Sequence, residues 1–221
     1  MADTKNSFSY PVMLKLQGKK CVIIGGGVVA ARKLATLCEA EAMVTVIAPS
    51  FAPELLQVAA KYPCTLLSQA YTKEQLEDAF VVVAATDSFE VNRAITEAAP
   101  CLVNNVTEPE LSNFTVPSMF NVENITVTVA TGGIPGYTRL LKRYLQDKLK
   151  PSFGEFNAFL LKVRTQLKAT NSTPKERTEF WRHVLNDELL QLLEDENIEK
   201  AKEQIQDAVD SFRTQSQNST R

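Results

Sequence analysis

Histidine, glycine and charge imbalance are all in short supply in this chain, and each shortage excludes something. Lys and Arg number 24 against 26 Asp and Glu, a formal net charge of −2. No global basic field therefore exists to gather nucleic acid or an anionic membrane surface. No apolar run approaches the roughly 18 residues of a membrane span. No charged-then-apolar leader opens the sequence, so a cytoplasmic protein is expected. The four cysteines, Cys21, Cys38, Cys64 and Cys101, contain no C-x-x-C pair. They read as small core hydrophobes in a reducing compartment. The single histidine, His183, stands near Trp181 on a helical pattern with no partner motif. It reads as a partly buried helix residue, and no metal site is expected. With 44% hydrophobic and 23% charged residues, the composition is that of an ordinary globular protein. The 221 residues suffice for one large or two small domains.

Six of the eight glycines fall in two loops, and only Gly18 and Gly154 lie elsewhere. Such placement marks backbone that turns left-handed or approaches something closely. The first loop ends an apolar run, Cys21-Val22-Ile23-Ile24, and opens a helix-compatible stretch from Val28. Strand, tight turn and helix follow from that pattern. Gly25, Gly27 and Ala30 occupy the three places of a G-x-G-x-x-A dinucleotide fingerprint. Gly25 permits the turn, Gly27 leaves room for a diphosphate, and Ala30 lets the helix sit close on the strand. The helix N-terminus offers N–H groups and a positive dipole end to the phosphates. A second strand, residues 43–48, follows at βαβ spacing. It ends in Pro49-Ser50 without the acid that usually holds the ribose hydroxyls. Charge at this point does not distinguish NAD from NADP.

Residues 1–9 read as loose, and 10–16 as a short strand or extended lead-in. A short helix is expected over 54–61 and a third strand over 64–67. A capping box at Thr72-Lys73-Glu74-Gln75 opens a brief helix. Residues 80–87 read as a buried fourth strand whose end, Thr86-Asp87, lies at the carboxyl edge where such sheets bind ligands. Asp87 can cap the next helix with Glu90, contact a cofactor, or do both. That helix spans 91–99, with Asn92 and Arg93 on its polar face, and a fifth strand spans 102–106. The alternation gives a Rossmann-like, doubly wound α/β domain over 1–113. Residues 114–120 and 125–130 then read as antiparallel strands around a turn at 121–124, within a segment 114–150. Helices follow. Leu140, Leu141, Tyr144, Leu145 and Leu149 form a stripe that Pro151 stops. The region 151–221 carries apolar faces at Phe153, Phe156, Leu160, Val163 and Leu167, then at Phe180, Trp181, Val184 and Leu185, then from Ile198 to Phe212. Thr173-Pro174 reads as an N-cap and first-turn proline. Residues 213–221 are expected to fray.

Five motifs stand in order: the lead-in Tyr10 to Lys20 with its glycine triplet, Val44-Thr45-Val46-Ile47-Ala48-Pro49, Ala84-Ala85-Thr86-Asp87 with Asn92, Leu102-Val103-Asn104, and Ala130-Thr131-Gly132-Gly133. In this order and spacing, residues 10–150 resemble precorrin-2 dehydrogenases: the dehydrogenase module of siroheme synthase and its stand-alone relatives. The resemblance implies oxidation of precorrin-2, a tetrapyrrole, to sirohydrochlorin with NAD. It also implies a homodimer built by the β-segment and helices, with substrate between dinucleotide and dimer parts. Gly25, Gly27, Val28, Val29, Pro49, Ser50, Thr86 and Asp87 would then serve the cofactor. Asn105, Thr131, Gly132, Gly133 and Arg139 would serve the substrate.

One departure bears on chemistry. Metal-inserting members of that family carry an aspartate in the pattern V-N-x-x-D. Here Val103-Asn104 is followed by Thr107 at that position and by Glu108. A threonine is no carboxylate base near neutral pH, and on an extended segment Glu108 points the other way. Thr107 and Glu108 remain the candidate catalytic positions, and dehydrogenation without metal insertion is expected. A bifunctional enzyme that also inserts iron and a non-catalytic NAD sensor are the alternatives. Arg139, Lys142, Arg143, Lys148 and Lys150 form either a clamp for substrate carboxylates or a solvated helix face.

Overall fold

The computed structural model describes residues 9–218, with side chains to residue 214. The expected loose segment 1–9 and frayed tail 213–221 therefore lie partly outside the described residues. The chain divides into two compact units, residues 1–116 and 117–221.

The first unit is a five-stranded parallel sheet. Its strands are β1 (Lys20–Ile24), β2 (Met43–Ala48), β3 (Cys64–Ser68), β4 (Val81–Ala84) and β5 (Leu102–Asn105). They lie in the order β3-β2-β1-β4-β5, and every adjacent pair is parallel. Helices α1 (Val28–Glu39), α2 (Pro53–Ala59) and α3 (Phe89–Ala98) connect them. Because side chains alternate along a strand, the sheet has two apolar faces. Cys21, Ile23, Val81 and Val83 pack with Ala30, Leu34 and Leu55 from α1 and α2. Val22, Ile24, Val82 and Ala84 pack with Leu76 and Ile95 on the other side. Both faces are covered, which is why these strands read as unbroken apolar runs. Cys21 and Cys38 are buried in the first of these cores, and all four thiols are free. Burial pushes both thiols from an ordinary value of 9.0 up to about 11.

The connection order reverses beside β1. The chain leaves β1 toward β2 and β3, then crosses back to β4 on β1's other edge. The crevice above the carboxyl ends of β1 and β4 is the switch point where open α/β sheets take ligands.

The second unit begins with an antiparallel hairpin, β6 (Ser118–Val122) and β7 (Ile125–Val129). Helices α4 (Pro135–Lys148), α5 (Pro151–Lys168), α6 (Pro174–Val184), α7 (Asp187–Glu194) and α8 (Ile198–Asn218) follow. Phe156, Val163 and Leu167 of α5 form its core with Phe180, Leu189, Leu193, Ala201 and Ile205. Thr173 caps α6: its hydroxyl accepts the Glu176 N–H, while the Glu176 carboxylate accepts the Thr173 N–H.

Several expected elements differ. Of the two readings of residues 10–16 the strand is excluded and the lead-in is left, with only Leu16 of that alternation buried. The first hairpin strand lies at 118–122 rather than 114–120. Pro117 has no N–H for a ladder, and the turn narrows to Glu123-Asn124, with Glu123 at φ 51. Helix α7 is additional. Its signals were an N-cap at Asn186, whose side chain accepts the Leu189 N–H, and two acids in its first turn. Residues 213–218 continue α8 instead of fraying. His183 is exposed on α6 rather than partly buried. Pro151 opens α5 as well as ending α4.

Candidate functional site

The glycine triplet divides its labour. Gly25 follows β1 at φ +128, outside the region ordinary residues adopt. A Cβ there would lie 2.2 Å from the Ala85 carbonyl oxygen beyond β4. Gly26 is equally constrained, with a Cβ 2.0 Å from the Ser50 oxygen, and its own carbonyl accepts the Ala52 N–H at 2.8 Å. The fingerprint treats this middle position as free, so sequence reasoning passed over it. The chain therefore draws the ends of β1, β2 and β4 tightly around one turn.

Gly27 is different. It is exposed, and a Cβ there meets nothing within 4 Å. It is the N-cap of α1, with no side chain capping the helix and no acid in the first turn. Val28 and Val29 beside it are exposed, while Ala30 is fully buried against the sheet. Open space, uncapped N–H groups and a positive helix end suit a dinucleotide diphosphate. Pro49 and Ser50 are exposed at the end of β2, on the same rim.

The end of β4 is wired inward. Thr86 N–H and Oγ1 donate to Asn92 Oδ1 at 3.0 and 2.8 Å, and Asn92 Nδ2 donates back to the Thr86 carbonyl at 3.0 Å. Asn92 is fully buried, so its expected place on a polar face is corrected. It shares the inward phase of Ile95, three residues on, which was the available signal. Asp87 is exposed and is not the cap of α3. Ser88 takes that role, accepting the Val91 N–H at 3.2 Å. Glu90 instead accepts from the Ser88 hydroxyl.

The turn after β5 joins this network. Asn105 Oδ1 receives the Thr107 N–H, the Thr107 hydroxyl and the Glu108 N–H at 3.0, 2.9 and 3.0 Å. Asn105 is fully buried, and its Nδ2 donates to Thr96 Oγ1. Its side chain is thus committed to shaping the turn. Thr107 Oγ1 also receives Asn92 Nδ2 at 3.1 Å. The expected extended segment is a turn here, so strand alternation does not direct Glu108; its carboxylate pairs with the Arg93 guanidinium. That pairing raises Arg93 above its ordinary range, first through the hydrogen bond and then through the charge. Glu108 is held as an ion-pair partner, a poor arrangement for a general base.

The remaining expected residues belong to the second unit. Gly132 and Gly133 have φ +61 and +98. Thr131 Oγ1 hydrogen bonds with Thr138 Oγ1 and with the Ile134 carbonyl, tying that loop to the start of α4. Arg139 is exposed on α4. Lys150 does not continue the basic stripe: it precedes α5, where its ammonium meets the Glu194 carbonyl and the Glu196 carboxylate. Among the described residues, no three His, Cys, Asp or Glu side chains gather as a metal site, and no helix is long and apolar enough to cross a membrane.

The fold and rim define a class: a doubly wound nicotinamide-dinucleotide-binding domain joined to a separate helical region. Comparisons with known proteins agree. Residues 12–118 match the family described as putative NAD(P)-binding, and 152–209 match the sirohaem synthase dimerisation region. Siroheme synthase of Nitrosospira multiformis is 38% identical over 183 residues, covering 79% of this chain and 39% of that protein. Siroheme synthase 2 of Aeromonas hydrophila is 33% identical over 210 residues, covering 93% and 44%. The chain thus spans about two fifths of the length of these curated relatives. The solved structure of SirC, a precorrin-2 dehydrogenase, superposes with a TM-score of 0.72 at 25% identity, covering 88% of this chain and 99% of that one. The chain belongs to the precorrin-2 dehydrogenase family, the dehydrogenase module of siroheme synthase and its stand-alone relatives.

Proposed function

We propose that this protein oxidises precorrin-2 to sirohydrochlorin with NAD⁺, as a homodimer, and inserts no metal. The observation that carries the reading is the open, uncapped start of α1 at Gly27, set in the switch-point crevice of a chain from this family. The N–H groups at Gly27, Val28 and Val29 would hold the diphosphate, and Ser50 with the β2 end would meet the adenosine ribose. The end of β2 offers neither an acid for the ribose hydroxyls nor, between residues 34 and 60, an Arg or Lys for a 2′-phosphate, and NAD is proposed on the family likeness.

The bound nicotinamide supplies the hydride acceptor. The protein's part is to orient cofactor and substrate. Thr107 stands where metal-inserting relatives carry an aspartate, and Glu108 is held by Arg93. Neither is placed as a carboxylate base, so the proton leaves to solvent as conjugation extends through the product. Dimer formation has a surface to use: Ile134, Tyr137, Leu140 and Tyr144 of the α4 region are at least half exposed.

Anaerobic incubation with precorrin-2 and NAD⁺, followed by absorbance, tests the reading. Sirohydrochlorin and NADH should appear together. Adding Fe²⁺ or Co²⁺ afterwards should leave the spectrum unchanged beyond the rate without protein. Metal-dependent change accelerated by the protein would establish the bifunctional alternative. NAD⁺ binding without product would establish a sensor.

A further inference from the structure

The buried carboxamides of Asn92 and Asn105 decide the direction of a hydroxyl that the dehydrogenase reading leaves without a role. Asn92 Oδ1 is 3.0 Å from the Thr86 N–H, which only donates, and Nδ2 is 3.0 Å from the Thr86 carbonyl, which only accepts. The amide can therefore be oriented one way alone. Its second N–H donates to Thr107 Oγ1 at 3.1 Å. Asn105 Oδ1 is fixed in the same manner by two backbone N–H groups, so the Thr107 hydroxyl, 2.9 Å away, must give its proton there. One proton is spent and one lone pair is filled. A single lone pair remains.

Thr107 follows β5 at the carboxyl edge of the sheet and is part-exposed. Its backbone needs nothing from Asn92, since Asn105 already receives both amides of the turn. Asn92 reaches this turn only at the hydroxyl. All four of its hydrogen-bonding places are used, although it is fully buried.

We propose that Asn92 is a positioning residue that sets the Thr107 hydroxyl as an obligate acceptor, and that Thr107 receives a ring N–H of the reduced tetrapyrrole through its remaining lone pair. The claim rests on the dehydrogenase reading above. In this chain the position that carries an acid in metal-inserting relatives would thus read the substrate without exchanging a proton.

The test is a double-mutant cycle of Asn92→Asp and Thr107→Val, with Thr107→Ser as the conservative control. The Asp variant keeps the oxygen facing the Thr86 N–H and replaces the nitrogen that donates to both the Thr86 carbonyl and Thr107, so the cycle rather than the single variant isolates the Thr107 contact. Sirohydrochlorin formation, tetrapyrrole binding by absorbance titration without NAD⁺, and NAD⁺ binding by calorimetry are read for each folded variant. Each single variant should lower turnover and tetrapyrrole affinity about tenfold, the loss of one hydrogen bond to the ligand. The double variant should lose no more than Asn92→Asp alone, since the Thr107 contact is then already gone. Thr107→Ser should stay within about threefold of the parent, and NAD⁺ affinity should hold in both Thr107 variants. Should Asn92→Asp not fold, Asn92→Ser completes the cycle. Losses that multiply to about a hundredfold would overturn the positioning role, because independent defects add in free energy. So would a Thr107→Val variant with parental turnover and affinity. If the unaltered protein makes no sirohydrochlorin, the dehydrogenase reading itself falls and takes this claim with it.

Discussion

Replacing Gly25 and Gly27 separately by alanine should uncouple folding from cofactor binding, because the two glycines are needed for different reasons. At Gly25 the added methyl would sit 2.2 Å from the Ala85 oxygen. Reaching an ordinary contact means moving the ends of β1 and β4 apart by about 1 Å. That movement strains the Gly25 N–H bond to Ile47 and the Ala85 N–H bond to Ile24, 2.9 and 2.8 Å long. Overpacking of this kind costs about 1–3 kcal/mol. A non-glycine residue held at φ +128 adds about 1–3 kcal/mol more. The sum, about 2–6 kcal/mol, lowers the melting temperature by on the order of 10 °C. At Gly27 the methyl meets nothing, and the helix loses only the difference between a glycine and an alanine N-cap, about half a kcal/mol. The same methyl fills space a diphosphate would enter, so NAD⁺ affinity should fall at least about tenfold. Thermal unfolding by circular dichroism and calorimetric titration of each variant make the comparison. A Gly25→Ala protein that melts with the parent, or a Gly27→Ala protein that binds NAD⁺ as well as the parent, refutes this division of roles.

Two further outcomes follow from the same structure. Cys21 and Cys38 are buried as neutral thiols with values raised from 9.0 to about 11, so the stability they confer is complete below pH 9 and lost as pH rises toward 11. Urea unfolding should show stability declining by up to about 1.4 kcal/mol per pH unit for each thiol in that window. A slope unchanged in Cys38→Ala would contradict the assignment. Charge reversal at exposed Arg139 should raise the KM for the tetrapyrrole with little change in kcat, the mark of lost ground-state binding; an unaltered KM would make Arg139 a solvated surface residue.

Much of the first unit was legible because its signals are local. An apolar run stopped by glycines, a second run at βαβ spacing and Ala30 at the close-packing position determine strand, turn and helix without reference to distant residues. The hairpin start was misplaced because β-branched Thr115 and Val116 look like strand until Pro117 is weighed as a missing donor. Helix α7 went unseen because eight residues with a strong leucine stripe merged with their neighbours. The site was half legible. Gly25 and Gly27 announce themselves by spacing, whereas Gly26 is needed only because Ser50 approaches in space. Asn92 and Arg93 read as solvent-facing from their polarity. Asn92 is instead buried between β4 and the turn after β5, while Arg93 is exposed as expected and also holds Glu108. Those roles depend on a strand ten or more residues away, which periodicity cannot reveal.

Everything said of chemistry depends on a nicotinamide dinucleotide lying across the start of α1. Calorimetric titration of the folded protein with NAD⁺ tests this most directly. The account predicts saturable binding of one NAD⁺ per chain, weaker for NADP⁺ and weakened further by Gly27→Ala. No heat from either coenzyme, with the tetrapyrrole present or absent, would contradict it.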